Sequence, residues 1–234
     1  MMTETWILFE DSSAYPLICN INGNGKNPVS TYLISNNHTD EFLASANRAC
    51  SLVHSYFHSH GQPIGNQVIT FDLLGRNDQA LLSGKSGGLA FAAAFACRLL
   101  NIDSSKIAAT GVIEADNRVT KVKGIENKLS KALTFLDKGD CLFFPKSCRP
   151  EISGTLLSEL ENKKIRLFPI DRVSQLMEVL LKLKKKSADG ELLRHKPLER
   201  HLPTCFMWFA ITIFIGLAIL SIYFFHGQWD RGFD

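Results

Sequence analysis

The segment Leu89-Ala90-Phe91-Ala92-Ala93-Ala94-Phe95-Ala96-Cys97 has no polar face. As part of a helix over residues 86–101, it presents apolar side chains in every direction, so the rest of the chain must cover it on all sides. That requirement makes it the interior post of a globular body. The 234 residues allow one body of about 180 residues, enough for a substantial core.

The remaining pattern supplies the cover. Alternating or β-branched runs predict strands at 6–10, 15–21, 30–34, 67–73, 106–113, 118–122, 141–144 and 165–169. Amphipathic or apolar periodicity predicts helices at 40–59, 86–101, 124–138, 150–162 and 171–186. Strands interleaved with helices give an α/β (α+β) domain over residues 1–186.

Chemistry concentrates at two places. Ser83-Gly84-Lys85-Ser86-Gly87-Gly88 leads into the apolar helix. Its glycines permit close backbone approach. The free N–H groups at the start of the helix, those around Ser86 and Gly87 among them, could cradle a developing oxyanion. The second place is 124–138, whose apolar side carries Ile125, Leu129, Ala132, Leu133, Phe135 and Leu136, with Lys128 inside the same arc. A hydroxyl needs an adjacent base to act as nucleophile, and lysine becomes a useful base when desolvation brings it from ~10.4 toward ~7–8. A serine before a helix and a lysine facing a core are the parts of a Ser-Lys dyad. The plainer alternatives are a serine that caps its helix and a lysine that snorkels to solvent. A phosphate loop around Gly84-Lys85-Ser86 is disfavoured, because the glycine it needs five positions earlier is Gln79.

The stretch from Ser83 to Ala132 resembles the proteolytic domain of Lon proteases. In that family the catalytic serine precedes a small-residue helix, and the lysine follows about forty residues later in a Gly-Gly-x-x-x-Lys helix. Ala109-Thr110-Gly111-Val112-Ile113 resembles the family's Thr-Gly-Glu-Ile strand, and Asn117-Arg118-Val119 stands where the family has Gly-Arg-Val. The resemblance implies a Lon-like fold with Ser86 as nucleophile, Lys128 as general base and Thr110 supporting the lysine, beside the Gly87 amide already placed at the oxyanion. It extends weakly over residues 15–182, with specific motifs at 83–90 and 109–132. Departures are Val112 for the family's glutamate, Lys123 for the first glycine of the lysine motif, and Ser83-Gly84-Lys85 for the usual acidic lead-in.

Nothing in the sequence resembles the ATPase module that Lon enzymes carry. The expectation is therefore a serine endopeptidase acting on flexible or unfolded protein or peptide substrates. It would need no cofactor and no metal, and would work as a homo-oligomer or beside a separate ATPase chain. The alternative is a non-catalytic Lon-like scaffold or interaction module. The net charge of +3 argues against a nucleic-acid partner.

Residues 204–225 carry no charge and are long enough, at ~1.5 Å per residue, to span the ~30 Å hydrocarbon layer. They predict a transmembrane helix after a basic tether at 187–203, with a short trans-side tail at 226–234. Lys182, Lys184, Lys185, Lys186, Arg194, Lys196 and Arg200 precede the span, whereas only Arg231 follows it. The positive-inside rule then places the body in the cytoplasm on a single-pass anchor. Six cysteines without paired spacing read as buried free thiols. His54 and His58, one helical turn apart, have no neighbouring acidic or thiol ligand and read as a partly exposed helix end rather than a metal site.

Overall fold

The computed structural model describes residues 4–23, 25–76, 81–102 and 105–194. Met1–Ala188 form one compact unit, and Asp189–Asp234 a second whose described part is helical backbone to Arg194. The chain runs β1 (Thr5–Leu8), β2 (Ala14–Gly23), β3 (Val29–Leu33), α1 (Asp40–Ser59), β4 (Gln67–Leu73), α2 (Gly88–Leu100), β5 (Ile107–Ala109), β6 (Val112–Ile113) and β7 (Val119–Thr120). It continues with α3 (Ile125–Phe135), β8 (Cys141–Pro145), a 3-10 turn (Lys146–Glu151), α4 (Gly154–Asn162), β9 (Arg166–Ile170) and α5 (Val173–Arg194).

Seven strands form one sheet in the order β3-β4-β2-β1-β5-β8-β9, while β6 and β7 pair separately. β1 is the switch strand: it lies antiparallel to β2, with Thr5 opposite Leu17, and parallel to β5, with Ile7 opposite Ala109. β5, β8 and β9 continue in parallel, and β3 lies parallel to β4.

Strand alternation sorts the core into two layers. Ile7, Ile107, Ala109, Cys141 and Phe143 pack with residues of α1, α2 and α5. Leu8, Ala108, Leu142 and Phe144 point the other way, against α3 and α4. The unit is thus a mixed, mostly parallel sheet with helices on both faces, as the α/β expectation required. α2 is the interior post: every residue from Gly88 to Cys97 is buried. α1 starts where Thr39 Oγ1 accepts the Phe42 N–H at 3.3 Å, with Asp40 and Glu41 in its first turn complementing the helix dipole.

Of the boundaries that differ from the sequence reading, three have a plain physical cause. The strand expected at 106–113 breaks after Ala109, because Thr110 and Gly111 leave the sheet to serve the site described below. The helix expected at 150–162 starts as a 3-10 turn containing Pro150, and Ser153 then caps α4 by accepting from Leu156 N–H. The last helix runs to Arg194, into the segment read as tether: Gly190 inside a helix costs only about 1 kcal/mol, and Pro197 lies beyond its end. Cys19, Cys50, Cys97, Cys141 and Cys148 are buried free thiols. The proposed span at 204–225 and tail at 226–234 lie outside the described residues. Among the described residues no helix is long and apolar enough to cross a membrane.

Candidate functional site

The elbow before α2 is stitched to the break after β5. Gly111 N–H donates to the Ser86 carbonyl at 2.8 Å, Thr110 Oγ1–H donates to the same carbonyl at 3.3 Å, and Leu89 N–H donates to Gly111 O at 3.0 Å. Ser45 Oγ–H, from α1, donates to the Lys85 carbonyl at 3.1 Å. Such close passage leaves no room for side chains at two points. A Cβ on Gly87 would stand 2.6 Å from Ile7 Cδ1, and one on Gly111 would stand 2.9 Å from Val119 Cγ1 and 3.1 Å from Leu89 Cβ.

Ser86 does not cap the helix. The N-cap is Gly87, and no side chain fills that role. Ser86 is partly exposed, and its hydroxyl has no hydrogen-bond partner among the described residues. The N–H groups of Ser86 and Gly87 likewise have no acceptor there. A hydroxyl with solvent access thus sits beside free amide donors at the positive end of a buried helix dipole.

Lys128 does not snorkel. Gly124, with φ +61°, is the N-cap of α3, and Lys128 is only 1% exposed on the apolar side of that helix. Its Nζ donates to Thr110 Oγ1 at 3.5 Å. Burial pulls its pKa down from 10.5 to about 8, against the raising influence of Glu10, Cys148 and Asp11. The two carboxylates belong to the β1–β2 turn, where Asp11 Oδ1 accepts from Ser13 Oγ at 2.6 Å and from Ser13 N–H at 3.0 Å. The Ser13 hydroxyl is the main reason that the Asp11 pKa lies below its ordinary value.

Ser86, Gly87, Thr110 and Lys128 therefore converge, with Thr110 as the link: its hydroxyl accepts from the lysine and donates to the serine's carbonyl. Ser86 Oγ and Lys128 Nζ do not hydrogen-bond to each other. The arrangement offers a partly neutral buried amine, an accessible hydroxyl and unpaired amide donors, which are the elements of acyl transfer. No protein-family model matches the chain, and no curated protein matches it in sequence.

Sequence reasoning missed two contributions. The Gly111 amide and carbonyl were invisible because nothing in 106–113 marks a strand break except the small pair Thr110-Gly111. The Glu10-Asp11 carboxylates that oppose neutralisation of Lys128 belong to a distant turn, signalled only by Asp11-Ser12-Ser13. Lys85 pairs with Glu41 of α1 at 3.3 Å, both about half exposed. His54 Nε2 lies 3.0 Å from Ile64 O, and His60 Nδ1 lies 2.8 Å from Tyr56 O. Among the described residues no three His, Cys, Asp or Glu side chains gather as a metal site would need.

Proposed function

We propose that this chain is a Lon-like serine endopeptidase, anchored to a membrane by residues 204–225 with its body on the cytoplasmic side. The observation that carries the reading is the buried Lys128 amine, brought to about 8 and held through Thr110 to the backbone of Ser86.

In this mechanism neutral Lys128 takes the proton of Ser86 Oγ as the oxygen attacks the scissile carbonyl carbon. The electron pair of the carbonyl moves to oxygen, which is met by the Ser86 and Gly87 amides. Protonated Lys128 then gives its proton to the departing amine as the C–N bond breaks, leaving an acyl-Ser86 ester. A water molecule, deprotonated by Lys128, cleaves that ester, and the proton returns to Ser86 Oγ. The missing Ser86–Lys128 hydrogen bond would form when substrate fills the site, since such contacts are often loose before binding.

That same gap favours a second reading, a Lon-like scaffold that keeps the residues without the chemistry. One experiment separates the two: turnover of a casein-derived peptide by the full-length protein, together with labelling by a fluorophosphonate probe. The hydrolase reading expects cleavage and labelling that Ser86→Ala abolishes. Equal cleavage by the variant would remove Ser86 from its role, and neither cleavage nor labelling in the wild type would leave the scaffold.

A further inference from the structure

The β6–β7 hairpin closes against the start of α5 through backbone bonds. Val119 N–H donates to Asp171 O at 2.7 Å, Val173 N–H donates to Asn117 O at 3.1 Å, and Arg118 forms an isolated antiparallel bridge with Arg172. A groove of about 590 Å³ opens there, with Arg118, Val119, Lys121, Ser147, Asp171 and Arg172 in its wall. Residues bridged in this way hold their Cβ atoms ~4.5–5.5 Å apart on one side, so the two arginine side chains leave the backbone as neighbours.

Like charges so placed oppose folding unless something answers them. Arg118 Nε reaches Asp116 Oδ2 at 2.5 Å, Lys121 reaches Glu151 at 2.6 Å, and Asp171 is taken by Lys146 at 3.2 Å. Arg172 is exposed and its guanidinium has no ion pair or hydrogen bond among the described residues. The groove also adjoins the elbow. Val119, in its wall, packs so closely on Gly111 that no Cβ would fit between them, and the Gly111 N–H holds the Ser86 carbonyl.

We infer that this groove receives a carboxylate side chain of a bound peptide, with Arg172 as its principal anchor. Taking that peptide to be the substrate rests on Ser86 being the nucleophile. A planar guanidinium with all its donors free matches a carboxylate in bidentate fashion. Ser147, also in the wall, adds a hydroxyl. The contact is at the surface, so salt weakens it.

The test uses full-length Ser86→Ala protein and two short fluorescein-labelled peptides that differ only in carrying glutamate or glutamine, followed by anisotropy. The glutamate peptide should bind about tenfold tighter at low salt, as a charge-assisted hydrogen bond predicts. Arg172→Ala should bring its affinity down to that of the glutamine peptide, and Arg172→Glu should reverse the preference. Equal binding of the two peptides, or a preference that survives Arg172→Ala, overturns the inference. Turnover keeps the two readings apart. If wild type cuts the glutamine peptide yet binds both alike, the groove assignment fails and the dyad stands. If neither peptide is cut while the Arg172-dependent preference is present, the groove stands and the hydrolase reading falls.

Discussion

Replacing Lys128 with methionine should stabilise the protein at neutral pH, and the gain should vanish in alkali. Lys128 is 1% exposed, and burial lowers its pKa from 10.5 to about 8. At ~1.4 kcal/mol per pH unit, holding its charged form in the folded chain costs roughly 3 kcal/mol. Below about pH 8 the amine is protonated in both native and unfolded chains, so the whole cost is present. Between about 8 and 10.5 the unfolded chain binds a proton that the native chain does not, so wild-type stability rises with pH. Above 10.5 the amine is neutral in both states, and the cost is gone. Methionine fills similar space without charge but loses the bond to Thr110 Oγ1, worth about 1 kcal/mol. The net expectation for Lys128→Met is a gain of about 2 kcal/mol at pH 7, turning into a loss of about 1 kcal/mol above ~10.5. Urea unfolding of both full-length proteins, followed by far-UV circular dichroism at a series of pH values, reads this directly. Groups other than Lys128 cancel in the difference between the two proteins. A difference that stays flat with pH, or a variant already weaker at pH 7, would refute the buried-amine argument.

Two further outcomes follow from the same geometry. Because the base must be neutral, kcat/KM for a peptide should rise about tenfold per pH unit up to about 8 and then level off; a profile flat or falling over that range contradicts a lysine base. Gly111→Ala should cost about 1–3 kcal/mol in urea unfolding, since its Cβ would meet Leu89 Cβ, fixed on a buried helix, at 3.1 Å and Val119 Cγ1 at 2.9 Å; a variant as stable as wild type would show that the elbow and the strand break are not so tightly apposed.

Much of the site was legible because its cues are local. An unbroken apolar helix, small residues before it and one cation inside an apolar stripe are all visible within a few turns of chain, and the first and last of these are met by the burial of α2 and of Lys128. Thr110 was reached only through a family resemblance, and its position between Lys128 and the Ser86 carbonyl depends on a break in β5 that periodicity ran straight through. The Arg118–Arg172 pair was unreadable for a related reason. Those residues are far apart in sequence, and neither one's neighbours announce the other.

The sequence by itself determined roughly where the strands and helices lie, though not where they break, and that α2 and one face of α3 would be dry, because side-chain periodicity of two or 3.6 residues is a property of the local backbone. Only the tertiary structure decided that β1 pairs antiparallel on one side and parallel on the other, that the Lys128 amine meets a threonine rather than the serine hydroxyl, and that two arginines stand together over a groove. Those are contacts between distant segments. Their geometry follows from how the layers close around the apolar helix, a condition on the whole chain that no single stretch of it contains.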